Sequence, residues 1–191
     1  MAESNRPEVW LVRHGQTEWS RDGKHTSSTD LPLTPAGEEA ARTLADRLGG
    51  VDFDMVLSSP RQRAHVTARL AGFHDVRIDD DLREWEYGDD EGISTATIRE
   101  ERSGWLIWRD GPKNGETTHE VGARADRLVA RLRAEAASRI LLFGHGHFSR
   151  VMGARWCDLP VSAGAHLLLG TATVSVLGWY REIPAISRWN C

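Results

Sequence analysis

Short apolar runs alternate with stretches of helical periodicity along most of the chain. Val9-Trp10-Leu11-Val12 reads as a short buried strand that stops on Arg13-His14-Gly15. Glu18 to Asp30 is polar and turn-rich, and it is long for a structureless loop. Thr34 then suits a helix N-cap and Pro35 the first helical position. Ala36, Ala40, Ala41, Leu44, Ala45 and Leu48 follow at spacings of three and four, and Gly49-Gly50 ends the helix. Met55-Val56-Leu57 predicts a second strand. It leads into a helix with Ser59 as cap and Pro60 just inside, running to about Ala71. Val76-Arg77-Ile78 predicts a third strand. It opens into an acidic, aromatic loop from Leu82 to Gly92, then a short helix around Thr95 to Glu101.

Gly104 to Gly115 reads as a further loop, carrying Trp105 and Trp108. Thr117 and Glu120 form a capping-box pattern. The helix they open places Val121, Ala125, Leu128, Val129 and Leu132 on one face. Ile140-Leu141-Leu142-Phe143 is the most apolar strand, ending in Gly144-His145-Gly146-His147. A helix through Val151 to Trp156 closes near Pro160. Leu167–Leu169, Thr173–Leu177 and Ile186–Trp189 are candidate closing strands.

Alternating strands and helices predict an α/β fold: a three-layer α/β/α sandwich around a mostly parallel sheet. With no repeat or linker, residues 1–191 read as one domain. In such a sheet the carboxyl ends of the strands share one edge, where ligands bind. Arg13 and His14, Arg61, Glu84 and His145 stand at or just past four strand ends. Two arginines, two histidines and one acid therefore converge on one crevice.

Composition narrows the function classes. A net charge of −4 argues against a broad nucleic-acid footprint. Residues 1–8 are polar, which argues against a secretory signal, and no apolar run reaches membrane-spanning length. Two cysteines, Cys157 and Cys191, suggest no disulfide scaffold, so a cytoplasmic location is expected. Eight tryptophans are many for 191 residues and predict core or pocket packing.

Four motifs in order carry a family resemblance: Leu11 to Thr17, Ser58 to Ala64, Glu84 ahead of Gly88, and His145-Gly146. Together they resemble the histidine phosphatase superfamily, the phosphoglycerate-mutase-like group. Arg13 to Ser20, Thr29 to Thr34, Glu84 to Gly88, Trp108 to Gly111 and Asn114 to Thr118 look most like the sedoheptulose-bisphosphatase-like sugar phosphatase branch. The resemblance implies a phosphoglycerate-mutase-like fold, with residues 84–116 as a small cap. It also implies hydrolysis of a small phosphomonoester, a sugar phosphate or bisphosphate, through a phosphohistidine on His14.

The residue chemistry agrees. A neutral His14 is a nucleophile when its other ring nitrogen is held by a hydrogen bond, and the resemblance implies that a backbone carbonyl at or next to Gly15 holds it. Arg13 and Arg61 present planar forks to a phosphate dianion. His145, expected to be protonated, completes the pocket. Glu84, with Glu86 as its competitor, gives the leaving oxygen a proton. Ser20, Thr26, Ser27, Tyr87 and Gly146 are the candidate substrate contacts; His25 and His147 are further candidates for the pocket wall, and Glu116, in the loop before a helix, for a place near the site.

His145 and His147 with His14 suggest a zinc site, but the two arginines would repel a cation, so no metal and no cofactor are expected. Two alternatives to hydrolysis stand: mutase-type phosphoryl transfer, and a non-catalytic phosphate-binding module. The short stretch from Gly92 to Gly115 leaves little room for a shielding lid and favours hydrolysis. The expected partner is a small phosphorylated molecule. A homodimer stays open.

Overall fold

The computed structural model describes residues 6–191, so part of the polar leader read above lies outside the described residues. In chain order the elements are β1 (Glu8–Arg13), α1 (Glu18–Arg21), α2 (Pro35–Leu48), β2 (Met55–Ser58), α3 (Gln62–Leu70) and β3 (Arg77–Ile78). There follow α4 (Thr95–Glu101), α5 (Ile107–Asp110), α6 (Thr118–Ala134), β4 (Arg139–Gly144), α7 (Gly146–Trp156), β5 (Val174–Tyr180) and β6 (Ile183–Arg188). The strands form one sheet in the order β3-β2-β4-β1-β5-β6. β1, β2, β3 and β4 run parallel, and β5 is antiparallel to both of its neighbours. The expected mostly parallel α/β sandwich is the observed one.

The central strands show why. β1 and β4 are apolar on both faces, as strands covered on both sides must be. Val9, Leu11, Ile140 and Leu142 pack into one core with Val121 and Leu128 of α6 and Val151 of α7. Trp10, Val12, Leu141 and Phe143 pack into the other with Leu44 and Leu48 of α2 and Ala64 and Ala68 of α3. The register pairs Arg13 with Gly144 and Ser58 with Phe143. The residues just beyond, His14, Ser59 and His145, therefore emerge at the same edge.

Several boundaries depart from the sequence expectation. α3 starts at Gln62 with Arg61 as N-cap, and Arg61 makes no side-chain cap bond. Ser59 is not the cap because it extends the sheet, donating its N–H to Phe143 O at 2.9 Å. Its hydroxyl is also engaged elsewhere, by His145. Asp30 supplies the missing cap from another loop, accepting from Gln62 N at 2.9 Å. Leu167–Leu169 is not a strand. It follows a 3-10 stretch, Val161–His166, and Leu168 is exposed. The Glu18–Asp30 loop contains α1, whose Thr17 and Ser20 form a reciprocal capping box. Residues 104–115 contain α5. The Thr117–Glu120 capping box is present as expected.

The segment 84–116 is tied into the body. Trp85, Tyr87, Ile98, Trp105, Ile107 and Trp108 belong to the same core as Leu11 and Leu142. Backbone bonds lace it to the first loop: His25 N donates to Ile93 O at 3.0 Å and Gly92 N to His25 O at 2.8 Å. Among the described residues, no helix is long and apolar enough to cross a membrane.

The loop after β1 is held against α2 by a backbone crossing. A Cβ on Gly37 would run into Gln16 O, and one on Gly15 into Gly37 O. Gly37→Ala is therefore expected to cost about 1–3 kcal/mol through overpacking, a drop in Tm of roughly 2–12 °C for a chain of this size. Gly50→Ala, where a Cβ meets nothing within 4 Å, should leave Tm within about a degree or two. Thermal melts of the two variants check this.

Candidate active site

His14 continues the β1 ladder, donating its N–H to Gly144 O at 3.0 Å, and its side chain is buried. Its Nδ1 lies 2.7 Å from Gly15 O. A carbonyl oxygen only accepts, so Nδ1 carries the proton. The lone pair then resides on Nε2, the nitrogen left to the cavity that His14 lines. Burial, followed by the Arg63 and Arg13 guanidinium groups, holds the ring well below its ordinary pKa. The imidazole is neutral near pH 7 and its free nitrogen is nucleophilic. The carbonyl partner expected from the sequence is present.

Arg13 donates from Nη1 to Leu169 O at 2.5 Å. Its Nε is buried and has no partner among the described residues, which leaves a donor for an anion. Gly146, the first residue of α7, lets this happen: a Cβ there would stand 3.2 Å from the guanidinium carbon.

His145 departs from expectation. Arg63 Nε donates to its Nδ1 at 3.3 Å, so the proton sits on Nε2, 2.7 Å from Ser59 Oγ. Burial, and then Arg63, lower its pKa well below the ordinary value. The ring is neutral, not protonated as the sequence suggested, because it is buried and, second, because Arg63 stands against it. Its centroid lies 5.2 Å from that of His14.

Arg63 was missed from sequence. It is fully buried, and its guanidinium also donates to Thr26 O, Ser27 O and Thr29 O. It is the leading charge influence on both histidines. The signal was available: Arg63 shares the buried face of α3 with Ala64, Thr67 and Ala68. Arg61 instead lines an adjoining cavity of about 130 Å³ with Arg83, Glu86 and Arg124. Its Nε is buried and has no partner among the described residues.

Glu84 lines both cavities. Its Oε1 accepts from Trp85 N at 2.8 Å and Phe148 N at 2.7 Å, and its Oε2 from His147 N at 3.0 Å. His145, the N-cap of α7, makes no side-chain cap bond. The Glu84 carboxyl group fills that role from outside the helix. Arg124 holds the strand end that carries Glu84. It donates to Asp81 O, Arg83 O and Glu84 O, and pairs in a fork with Glu116 at 2.8 and 2.7 Å. Glu116 is thus engaged by Arg124 at the edge of the second cavity. Glu86 lines that second cavity but not the one holding His14.

The remaining candidates divide. Ser20, Thr26, Tyr87 and Gly146 line the main cavity, of about 180 Å³, with His14 and Glu84. Ser20 Oγ, however, is held in the α1 capping box. Ser27 faces the second cavity, and its hydroxyl donates to Glu91 Oε2 at 2.7 Å. It fixes the loop and is not free to contact a ligand. His25, His147, Lys24 and Arg150 also line the main cavity. Among the described residues, no group of three His, Cys, Asp or Glu side chains is arranged to hold a metal ion.

The arrangement gathers a neutral nucleophilic imidazole, an unsatisfied guanidinium and a carboxyl group on one wall. These are the parts that phosphoryl transfer needs: an in-line nucleophile, cations around the phosphoryl oxygens and a proton source. A profile of the histidine phosphatase superfamily (branch 1) matches residues 9–191. An acid phosphatase of Mycobacterium tuberculosis is 40% identical over 180 residues, covering 93% of this chain and 89% of the relative. A sedoheptulose 1,7-bisphosphatase of Saccharomyces cerevisiae is 41% identical over 187 residues, covering 81% and 69%. The solved structure of an open reading frame product from M. tuberculosis superposes with a TM-score of 0.92 at 36% identity, covering 96% of this chain and 97% of that one. With strand ends, site and comparisons in agreement, the chain belongs to the histidine phosphatase superfamily.

Proposed function

We propose that the protein hydrolyses small phosphomonoesters, sugar phosphates or bisphosphates among them, in two steps through His14. The observation that carries this reading is the Nδ1–H bond to Gly15 O, which leaves Nε2 unprotonated beside Arg13. In the first step Nε2 attacks phosphorus and the ester P–O bond breaks. The leaving alkoxide takes a proton from Glu84. In the second step Glu84, now a carboxylate, takes a proton from water as the water attacks phosphorus. The P–N bond breaks, and inorganic phosphate leaves. Splitting one displacement into two is the gain that a covalent intermediate brings.

The charges favour the anion. A phosphate dianion near His145 would raise the pKa of that ring, so its protonation would follow substrate binding. Arg63 sets the His145 tautomer from behind. We assign the second guanidinium influence on the histidines to Arg63, with Arg61 serving the adjoining cavity. Lys24 and Arg150 on the main cavity wall would meet a second anionic group. The sugar-bisphosphate reading draws on this and on the yeast relative's named substrate. Segment 84–116 would act as a rim over the cavity, and the free cysteines suit a reducing cytoplasm.

The direct test is turnover of p-nitrophenyl phosphate in EDTA, followed by rapid quench. Wild type should yield a phosphoenzyme that is stable to base and labile to acid, as a phosphoramidate is. His14→Ala should form none and retain less than about a hundredth of wild-type turnover, since a lone preorganised group is worth about 10²–10³. Loss of turnover in EDTA would point to metal chemistry instead.

Glu84→Gln should slow alkyl phosphates by about 10²–10⁴, the usual reach of a general acid. Slowing of p-nitrophenyl phosphate should be far smaller, because that leaving group needs no proton. Equal slowing of both would remove Glu84 from the role.

The pH profile follows from the His14 pKa. Its free base is required, and burial with Arg63 and Arg13 places its pKa well below 6.5. The acid limb of kcat/KM, corrected for ionisation of the substrate, should therefore lie below pH 6.5. For p-nitrophenyl phosphate, whose leaving group needs no proton, activity would rise to its plateau above that limb and be lost as pH falls through it. A limb at or above 6.5 would contradict the assignment.

A further inference from the structure

Two buried-side imidazoles on the cavity wall are not used by the two steps above. His25 and His147 both line the cavity that holds His14. Their rings stack with centroids 5.9 Å apart and planes 16° apart. In each, Nδ1 is engaged and Nε2 is not. His25 Nδ1 lies 2.7 Å from Ile93 O, a carbonyl, so Nδ1 carries the proton and Nε2 the lone pair. His147 Nδ1 lies 2.6 Å from Tyr87 Oη. With the Tyr87 hydroxyl as donor to Nδ1, the proton of His147 stands on Nε2. Neither Nε2 is among the buried atoms that lack a partner, so both are open to the cavity. The wall thus presents one hydrogen-bond acceptor and one donor side by side.

We infer that His25 and His147 form a hydroxyl-binding subsite, in which His25 Nε2 accepts from a substrate hydroxyl and His147 Nε2–H donates to that oxygen or its neighbour. A hydroxyl both donates and accepts, so the pair is complementary to an alcohol or a vicinal diol. An all-acceptor phosphate oxygen matches only the His147 half. The ligand class is a phosphate ester of a polyhydroxylated carbon skeleton. Packing alone does not call for histidine here. Tyr87 and Trp105 surround His25 by edge contacts at 4.8 and 5.6 Å, and Trp108 meets His147 at 5.2 Å. Phenylalanine would serve such contacts without an Nε2 in the cavity. The inference rests on the hydrolase reading for its substrate, not for its geometry.

The test uses paired esters and variants that keep the δ-side bonds. Asn at either position keeps a donor for Ile93 O or an acceptor for Tyr87 and removes Nε2. The measured quantity is the ratio of kcat/KM for glycerol 3-phosphate to that for propyl phosphate. His25→Asn and His147→Asn should each lower that ratio about tenfold relative to wild type, mostly through KM for glycerol 3-phosphate, the effect of one lost hydrogen bond. A structural fault slows both esters alike, and an unchanged ratio would overturn the assignment. Calorimetry on wild type removes dependence on variant folding. Glycerol phosphonate should bind about tenfold more tightly than propyl phosphonate, and equal affinities would overturn the subsite. Phosphonate discrimination without turnover of either ester would uphold the subsite and sink the hydrolase reading.

Discussion

The hydrogen bond from His14 Nδ1–H to Gly15 O is the constraint on which the rest depends. It is made between adjacent residues, so it demands a specific turn of the backbone just past β1. That turn is held from three sides. His14 N donates to Gly144 O, Gly15 N donates to Thr67 Oγ1 at 3.0 Å, and the Gly15 carbonyl region is pinned where Gly37 crosses it. Strand, helix and helix start each contribute one restraint. The nucleophile's tautomer is thus a property of the whole α/β frame.

Around it stand the guanidinium groups of Arg13 and Arg63, and the Asp30 carboxylate comes within 4.0 Å of Arg63. Arg13 keeps an orphan Nε, and Arg63 spends its donors on three carbonyls and on His145. Burial and these charges keep His14 and His145 unprotonated. Arg13, Lys24 and Arg150 line the cavity with Glu84, so its wall carries more positive than negative side chains. Donors set in place beforehand need no reorganisation during the reaction, which is where electrostatic catalysis gains most. Glu84 serves the same frame twice. It lines the cavity, and its carboxyl oxygens accept from N–H groups in the first turn of α7, so Glu84 and the helix carrying Gly146 and His147 are positioned together.

Much of this was legible in the sequence because strand periodicity locates strand ends, and strand ends locate chemistry in a parallel sheet. Arg13, His14, Glu84 and His145 were found that way, and they surround one site. What escaped depends on partners remote in sequence. Ser59 looks like a helix cap until His145, 86 residues away, takes its hydroxyl. Arg61 follows the strand more closely than Arg63, yet the helical turn buries Arg63 against both histidines, while Arg61 acts on His145 and lines the neighbouring cavity. Ser27 seems a substrate contact until Glu91 is brought against it. The sequence does not show how deeply His145 is buried or that Arg63 lies against it, and these two causes, in that order, hold its pKa down.

The central claim is that the fold presents His14 as a neutral ring protonated on Nδ1, with Nε2 bare. Nitrogen-15 NMR of histidine-labelled protein at pH 7 reads this directly, with His14→Asn identifying the resonances. The account predicts a pyrrole-type shift for Nδ1 and a pyridine-type shift for Nε2 of His14. An imidazolium pattern on both nitrogens, or the proton on Nε2, would contradict it.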